Sequence, residues 1–210
     1  MLELIILLVL GAVSGFLAGL LGVGGGIVIV PVLLWHFQTF LKFPAAHLMH
    51  IALATSLTTI IFTSLLSIWR HEKHKTVLWS VVFKLVPGIL FGVLCAGLFV
   101  SSLDTAVLKI IFGVFLICVA LQIILDRKPK VAKENKNESN WFVTNIMAVL
   151  IGFLSTLVGI GGSSLNIPFL LWRGISIRHA IATSVACGLP ISIAGTIAYI
   201  ILGLNQNLPW

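Results

Sequence analysis

The stretch Gly15-Phe16-Leu17-Ala18-Gly19-Leu20-Leu21-Gly22-Val23-Gly24-Gly25-Gly26-Ile27-Val28-Ile29-Val30-Pro31-Val32-Leu33-Leu34-Trp35 recurs as Gly152-Phe153-Leu154-Ser155-Thr156-Leu157-Val158-Gly159-Ile160-Gly161-Gly162-Ser163-Ser164-Leu165-Asn166-Ile167-Pro168-Phe169-Leu170-Leu171-Trp172, without a gap and at a constant offset of 137 residues. Both copies keep the Gly-Phe-Leu opening, a Gly-x-Gly-Gly core, a proline and a Leu-Leu-Trp close. Further on, Ala54-Thr55-Ser56 recurs as Ala182-Thr183-Ser184, after loops that differ by nine residues. Two halves of one design share the chain.

Glycines in such number break a helix. Each costs about 1 kcal/mol relative to alanine in a helix interior, and packing alone does not call for three adjacent ones at Gly24, Gly25 and Gly26. Both clusters can take up positive φ and present consecutive N–H groups with no side chain in the way. Pro31 and Pro168 are then expected to limit the helix that follows. A helix restarting after a break points the positive end of its dipole into the gap, where an anion is favoured. Gly11, Gly15 and Gly19, spaced by four, and likewise Gly88 and Gly92, are instead expected to let helices pack closely.

The rest of the composition says where such a break sits. Of 210 residues, 59% are hydrophobic and 9% charged, and the mean hydropathy is +1.16. A soluble domain carries about a quarter charged residues, so a soluble enzyme, a disordered chain and a collagen-like repeat are all excluded. The reading is an all-α polytopic membrane protein. Stretches free of Asp, Glu, Lys and Arg cover 4–41, 43–69, 85–103, 110–125, 139–172 and 179–210, giving six hydrophobic segments. About 20 apolar residues suffice to span a membrane, so the first and fifth segments are too long for one straight crossing. Each has a glycine cluster in its middle. In lipid, broken backbone is tolerated only where protein buries it or where it lines a polar cavity, and paired breaks in two halves point to a transporter's binding site.

Trp35, Trp69, Trp79, Trp141, Trp172 and Trp210 all stand at segment ends, as an interfacial aromatic belt requires. Eight of the 13 Lys and Arg residues fall in loop 70–75 and linker 126–138. Those loops are expected to be cytoplasmic in a cell membrane, and no nucleic-acid partner is expected, because the cations sit in short loops between spans. The turn Ser101-Ser102-Leu103-Asp104 carries no cation, as an outer loop should. The N-terminus is cytoplasmic if segment one crosses once and external if its break makes a re-entrant hairpin. Glu3 and the long apolar run argue against a cleavable leader. The organisation expected is a first transmembrane repeat at 1–125, a polar linker at 126–140 and a second repeat at 141–210. Cys95, Cys118 and Cys187 lie in apolar runs and read as small buried hydrophobes, with no disulfide framework, metal site or cofactor expected.

The candidate substrate site gathers Gly22, Gly24, Gly25, Gly26, Thr55 and Ser56 from the first half. From the second come Gly159, Gly161, Gly162, Ser163, Asn166, Thr183 and Ser184. Thr58 and Thr59 add hydroxyls to the second segment. Ser163, Ser164 and Asn166 replace Gly26, Ile27 and Ile29, the asymmetry expected where one half reads the substrate. Lys84 either turns inward to neutralise an anion in transit or snorkels to the interface; Lys109 is expected to snorkel. His47, His50 and His179 lie near segment starts, either as interfacial residues or as groups coupling transport to protons.

The duplicated Gly-x-Gly-Gly element with its proline, Gly22 to Pro31 and Gly159 to Pro168, and the Ala-Thr-Ser element after each resemble the TauE/SafE-type, sulfite exporter-like membrane permeases over most of the chain. The resemblance implies two four-helix repeats of usually about eight spans, and transport of small anions such as sulfite, sulfonates or carboxylates. It implies no catalytic role. Against that plan the second half stops about 45 residues short, which implies either truncation or completion by a homo-oligomer. Two other classes are weighed beside a permease. One is a non-transporting or degenerate membrane subunit. The other is an intramembrane serine hydrolase pairing Ser163 with His179, against which stands the alignment of Ser163 on Gly26, a position that serves backbone geometry.

Overall fold

The computed structural model of the chain describes residues 2–21, 25–41, 47–100, 102–124 and 141–205. Gly22, Gly24, linker 126–140 and Trp210 lie outside the described residues. The chain is an all-α membrane protein. Its helices are α1 (Leu2–Leu21), α2 (Gly26–His36, extended by a π-helical turn Phe37–Leu41), α3 (Leu48–Lys73), α4 (Trp79–Val100), α5 (Thr105–Ile124), α6 (Trp141–Val158), α7 (Ser163–Trp172) and α8 (Ile177–Asn205). Among the described residues, four stretches are long and apolar enough to cross a bilayer: Leu48–Lys73, Trp79–Val100, Thr105–Gln122 and Ile177–Ile201. Segments one and five each divide into two shorter helices at the glycine clusters.

That division follows from length. α2 has 11 residues and α7 has 10, about 15 Å each at 1.5 Å per residue, half of a hydrocarbon core about 30 Å thick. The order helix, break, half-length helix, long helix is thus realised twice, as α1-α2-α3 and α6-α7-α8. Pro31 and Pro168 lie inside α2 and α7 and do not end them. Each ring removes one ladder bond, and packing of α2 on α3 and of α7 on α8 holds the segment helical past it.

Helices in lipid gain nothing from hiding apolar surface from one another, so close van der Waals contact must hold the bundle together. The most extensive contact is between α4 and α6. There a Cβ on Gly92 would lie 2.1 Å from the Val149 carbonyl oxygen, and one on Gly152 would lie 2.2 Å from that of Ile89. The packing role expected of Gly92 holds, and Gly152 answers it from the other helix. It does not hold at Gly11 and Gly15, where an added Cβ meets nothing within 4 Å. Gly15 and Gly152 are equivalent by the repeat, yet α4 packs against α6 while no backbone covers this face of α1.

The long helices α3 and α8 cross at the centre, and α8 also packs on α4. Met49, Leu53, Leu57, Leu85, Ile89 and Ile191 are fully buried among them. Phe62, Leu66, Phe83, Leu98 and Ile110 form part of the exposed apolar exterior. Trp79 and Trp141 open α4 and α6, and Trp172 closes α7. Near the end of α3 the Lys73 ammonium lies 3.7 Å from the Trp69 ring centroid, and Trp79 Nε1–H donates to Glu72 at 3.0 Å. Lys84 and Lys109 are exposed on α4 and α5.

The α4–α6 seam generates a prediction. Gly92→Ala forces two backbones apart and should cost about 1–3 kcal/mol, read as a lower melting temperature of the detergent-solubilised protein. Gly15→Ala should leave it unchanged or raise it, and an equal loss at both positions would contradict this packing.

Candidate functional site

The second break is the better defined, and its ends are built from short-range bonds. α6 terminates in a Schellman motif: Gly159, with φ of 67°, donates its N–H to Thr156 C=O at 3.2 Å, and Ile160 N–H reaches Ser155 C=O at 2.9 Å. A left-handed residue at this place favours glycine. α7 then starts from Gly162, also left-handed with φ of 74° and with no side-chain cap. The first N–H groups of a helix have no carbonyl one turn earlier, so this start offers donors and a positive dipole end. In the first half Gly25 precedes α2 in right-handed geometry, so the two breaks share sequence but not backbone conformation.

The halves hold each other at these breaks. Ser56 Oγ–H of α3 donates to Gly159 C=O at 2.9 Å, fully inside the protein. Gly26 abuts the same carbonyl, which a Cβ there would meet at 2.5 Å. From α8, Gly188 closes on Gly161, whose carbonyl oxygen would lie 2.6 Å from a Cβ at residue 188. Thr156 C=O also accepts from Tyr199 O–H at 3.3 Å. Irregular backbone at membrane depth is thereby satisfied by the opposite half at Gly159 C=O and by α8 of the same half at Thr156 C=O.

Beside the breaks lies a cavity of about 610 Å³ between α1, α2, α3, α7 and α8. Thr59, Thr63, Ser67 and His71 follow one another at intervals of one turn along α3 and all line it. They span about 18 Å at 1.5 Å per residue. Ser14, Ser163 and Ser184 line it from other helices, and Gly25 and Gly161 bring backbone to it. No Lys, Arg, Asp or Glu is among its described lining residues. Thr59, Thr63 and Ser184 donate to carbonyls three residues back in their own helices, at 2.7, 3.2 and 2.7 Å. Each hydroxyl can rotate from that carbonyl to a solute. Such a cavity can hold a small polar solute through hydroxyls, backbone and helix dipole.

Of the residues singled out from sequence, Gly25, Thr59, Gly161, Ser163 and Ser184 meet in this cavity. Gly26, Gly159 and Ser56 instead form the contact between halves. Thr55 O–H donates to Ile51 C=O within α3 at 2.8 Å. Thr183 accepts the Leu78 N–H at 3.1 Å, fastening the loop between α3 and α4 to α8. His179 works beside it: its Nδ1 lies 2.8 Å from Thr76 C=O, and since a carbonyl only accepts, this nitrogen carries the proton. His179 is outside the cavity lining that holds Ser163, so these two do not form a pair. Lys84, exposed on α4, stands apart from the cavity, as do Gly162 and Asn166, which lie behind the break. Sequence reasoning passed over Ser14, Thr63, Ser67 and His71, although the four-residue spacing on α3 was visible.

The family model for sulfite exporter TauE/SafE matches residues 7–210. The chain belongs to this family. The chain is similar to a Haemophilus influenzae protein described as "probable membrane transporter protein", 37% identical over 206 residues, covering 98% of this chain and 76% of the relative. A Methanocaldococcus jannaschii protein with the same description is 32% identical over 201 residues, 93% of this chain and 72% of its own length. YunE of Bacillus subtilis, also described as a probable membrane transporter protein, is 32% identical over 220 residues, 95% and 79% of the two chains. No solved structure matches the chain significantly. The TauE/SafE family is one of membrane transporters, and the chain is accordingly a membrane transporter protein.

The contact between halves can be tested directly. Ser56→Ala leaves Gly159 C=O without its hydroxyl donor and should cost about 1–3 kcal/mol, measured as a lower melting temperature in detergent. Thr58→Ala removes an exposed bond within α3 and should be nearly neutral; equal effects would show that Ser56 does not join the halves.

Proposed function

We propose that the chain is a secondary permease for a small anion of sulfite, sulfonate or carboxylate size, with the cavity as its route to the glycine breaks. The observation that carries this reading is the meeting of Ser163, the first residue of α7, bare glycine backbone at Gly25 and Gly161 and a file of hydroxyls in one cavity whose described lining holds no Lys, Arg, Asp or Glu. A lysine or arginine there would hold an anion tightly. Hydroxyls and partial helix charge bind it and still let it leave.

In this reading loops 70–75 and 126–138 face the cytoplasm of a cell membrane, and the repeats 1–125 and 141–210 flank the linker 126–140. His71 is then at the cytoplasmic mouth of the cavity and the breaks at its blind end, which makes this the inward-facing arrangement. The apolar packing of Val30, Leu53, Leu57 and Ile160 around the breaks forms the outer seal. His71 is the titratable side chain of the described lining, and a proton gradient couples to the anion through it.

Flux of radiolabelled sulfite, methanesulfonate and acetate into proteoliposomes, with and without a pH gradient, tests the proposal. Ser67→Trp, which fills the cavity, should lower flux at least tenfold, and Lys84→Gln should leave it within twofold. His71→Gln should keep anion exchange and lose the pH-driven component. Undiminished flux through Ser67→Trp would overturn the route, and undiminished pH-driven uptake through His71→Gln would overturn the coupling.

A further inference from the structure

Among the buried polar groups outside the cavity lining that lack a partner, Ser155 and Asn166 stand together beside one break. Asn166 has no exposed surface and Ser155 has 2%, and Asn166 Nδ2, Asn166 Oδ1 and Ser155 Oγ all lack a hydrogen-bond partner. Both side chains close on the same residue: a Cβ on Gly162 would lie 3.2 Å from Asn166 Nδ2 and 3.3 Å from Ser155 Oγ, with Ile191 packed against the same spot. Gly162 is the left-handed residue from which α7 starts. Its neighbours Gly161 and Ser163 line the cavity, whereas Gly162, Ser155 and Asn166 do not. A single residue without a side chain therefore stands between the cavity lining and two unpartnered polar side chains.

The first half shows that packing does not require this polarity. By the 137-residue offset, Ser155, Gly162 and Asn166 correspond to Ala18, Gly25 and Ile29. Ile29 Cδ1 lies 3.0 Å from a Cβ position on Gly25, just as Asn166 Nδ2 sits over Gly162. Equivalent positions of the two halves thus carry apolar residues in one and polar residues in the other. Unpaired buried polar groups are costly, so their retention on one side calls for a ligand.

We infer that Ser155, Asn166 and the start of α7 at Gly162 form an occluded subsite for a small oxyanion, distinct from the open cavity and reached through the break. The inference rests on the reading of the chain as an anion permease. The alternative occupant, a coupling cation such as sodium, is disfavoured by an inventory of oxygens. Ser155 C=O is taken by Ile160 N–H, Thr156 C=O by Gly159 N–H and Tyr199 O–H, and Gly159 C=O by Ser56 O–H. Gly162 C=O already accepts from Leu165 and Asn166 N–H. The unpartnered side-chain oxygens here are Ser155 Oγ and Asn166 Oδ1, and stretches 139–172 and 179–210 hold no carboxylate to offer a hard cation. The donors are plentiful by comparison: the Asn166 carboxamide N–H, the Ser155 hydroxyl and the positive end of α7. Asn166 Oδ1 suits an oxyanion that still carries a proton on one oxygen.

The test exchanges each residue for its counterpart in the other half. Ser155→Ala and Asn166→Ile are compared with the unsubstituted protein in detergent, by thermal shift against sulfite and methanesulfonate supplied as sodium and as choline salts, with the chlorides as controls. The anions should stabilise the unsubstituted protein with either counterion. In both variants the half-maximal concentration should rise at least tenfold, while the melting temperature without anion stays level or rises. A merely structural role would lower that melting temperature and leave the half-maximal concentration alone. Unchanged half-maximal concentrations, stabilisation that follows sodium, or no response of the unsubstituted protein to either anion would each overturn the subsite. Flux in the same variants separates the two readings. Loss in Ser67→Trp with full flux and binding in Asn166→Ile removes the subsite and keeps the permease, whereas full flux in Ser67→Trp removes the reading on which the subsite rests.

Discussion

Backbone that leaves the helical ladder inside a bilayer must find its hydrogen bonds within the protein, and in this chain one carbonyl concentrates that constraint. Gly159 C=O receives the Ser56 hydroxyl and lies against Gly26. The second break is thus closed by the first half of the repeat. Around it stand the Schellman end of α6, the left-handed start of α7 and the packing of α3 on α8. A side chain at residue 26 or 159 would separate the halves, which is why glycine stands at both. Duplication serves a physical end here: the first half supplies a partner that the second break cannot find in lipid.

The two halves are nevertheless unequal in a way that bears on movement. α6 is bound to α4 through backbone contacts at Gly92 and Gly152, while the equivalent glycine face of α1 meets open cavity. Half two carries the polar substitutions Ser155, Ser163 and Asn166 on this fixed frame, and half one carries Ala18, Gly26 and Ile29 in the same places. The α4–α6 seam joins the two repeats, so the loosely covered element is α1 alone, beside a frame that α4, α6 and α8 hold together.

Much of this was legible in the residues. The repeat placed both breaks, the charge-free stretches placed the spans, and the tryptophans marked their ends, because each of these follows from the bilayer as solvent. The close packing of Gly92 could be anticipated from its spacing to Gly88. The same spacing misled at Gly11 and Gly15, since spacing shows a small-residue face but not whether a second helix covers it. The repeat also drew weight to Thr55 and Thr183, which turn out to bond Ile51 C=O and Leu78 N–H. The cavity hydroxyls Thr63 and Ser67 have no counterpart in a matched motif, and so the comparison of halves passed over them. Ser155 was hidden for the opposite reason: it lies inside the repeat, but only the fold brings it beside Gly162 and Asn166.

The central claim is that the hydroxyl file on α3 faces an aqueous route rather than lipid or a sealed core. Reaction of single-cysteine variants with a charged, membrane-impermeant thiol reagent tests it most directly, in inside-out vesicles and with Cys95, Cys118 and Cys187 replaced by alanine. Ser67→Cys and Thr63→Cys should be modified rapidly and protected by the transported anion, while Leu66→Cys, one residue round the same helix and exposed on its apolar side, should stay unmodified. Unreactive Ser67→Cys and Thr63→Cys, or equal labelling of Leu66→Cys, would contradict the account.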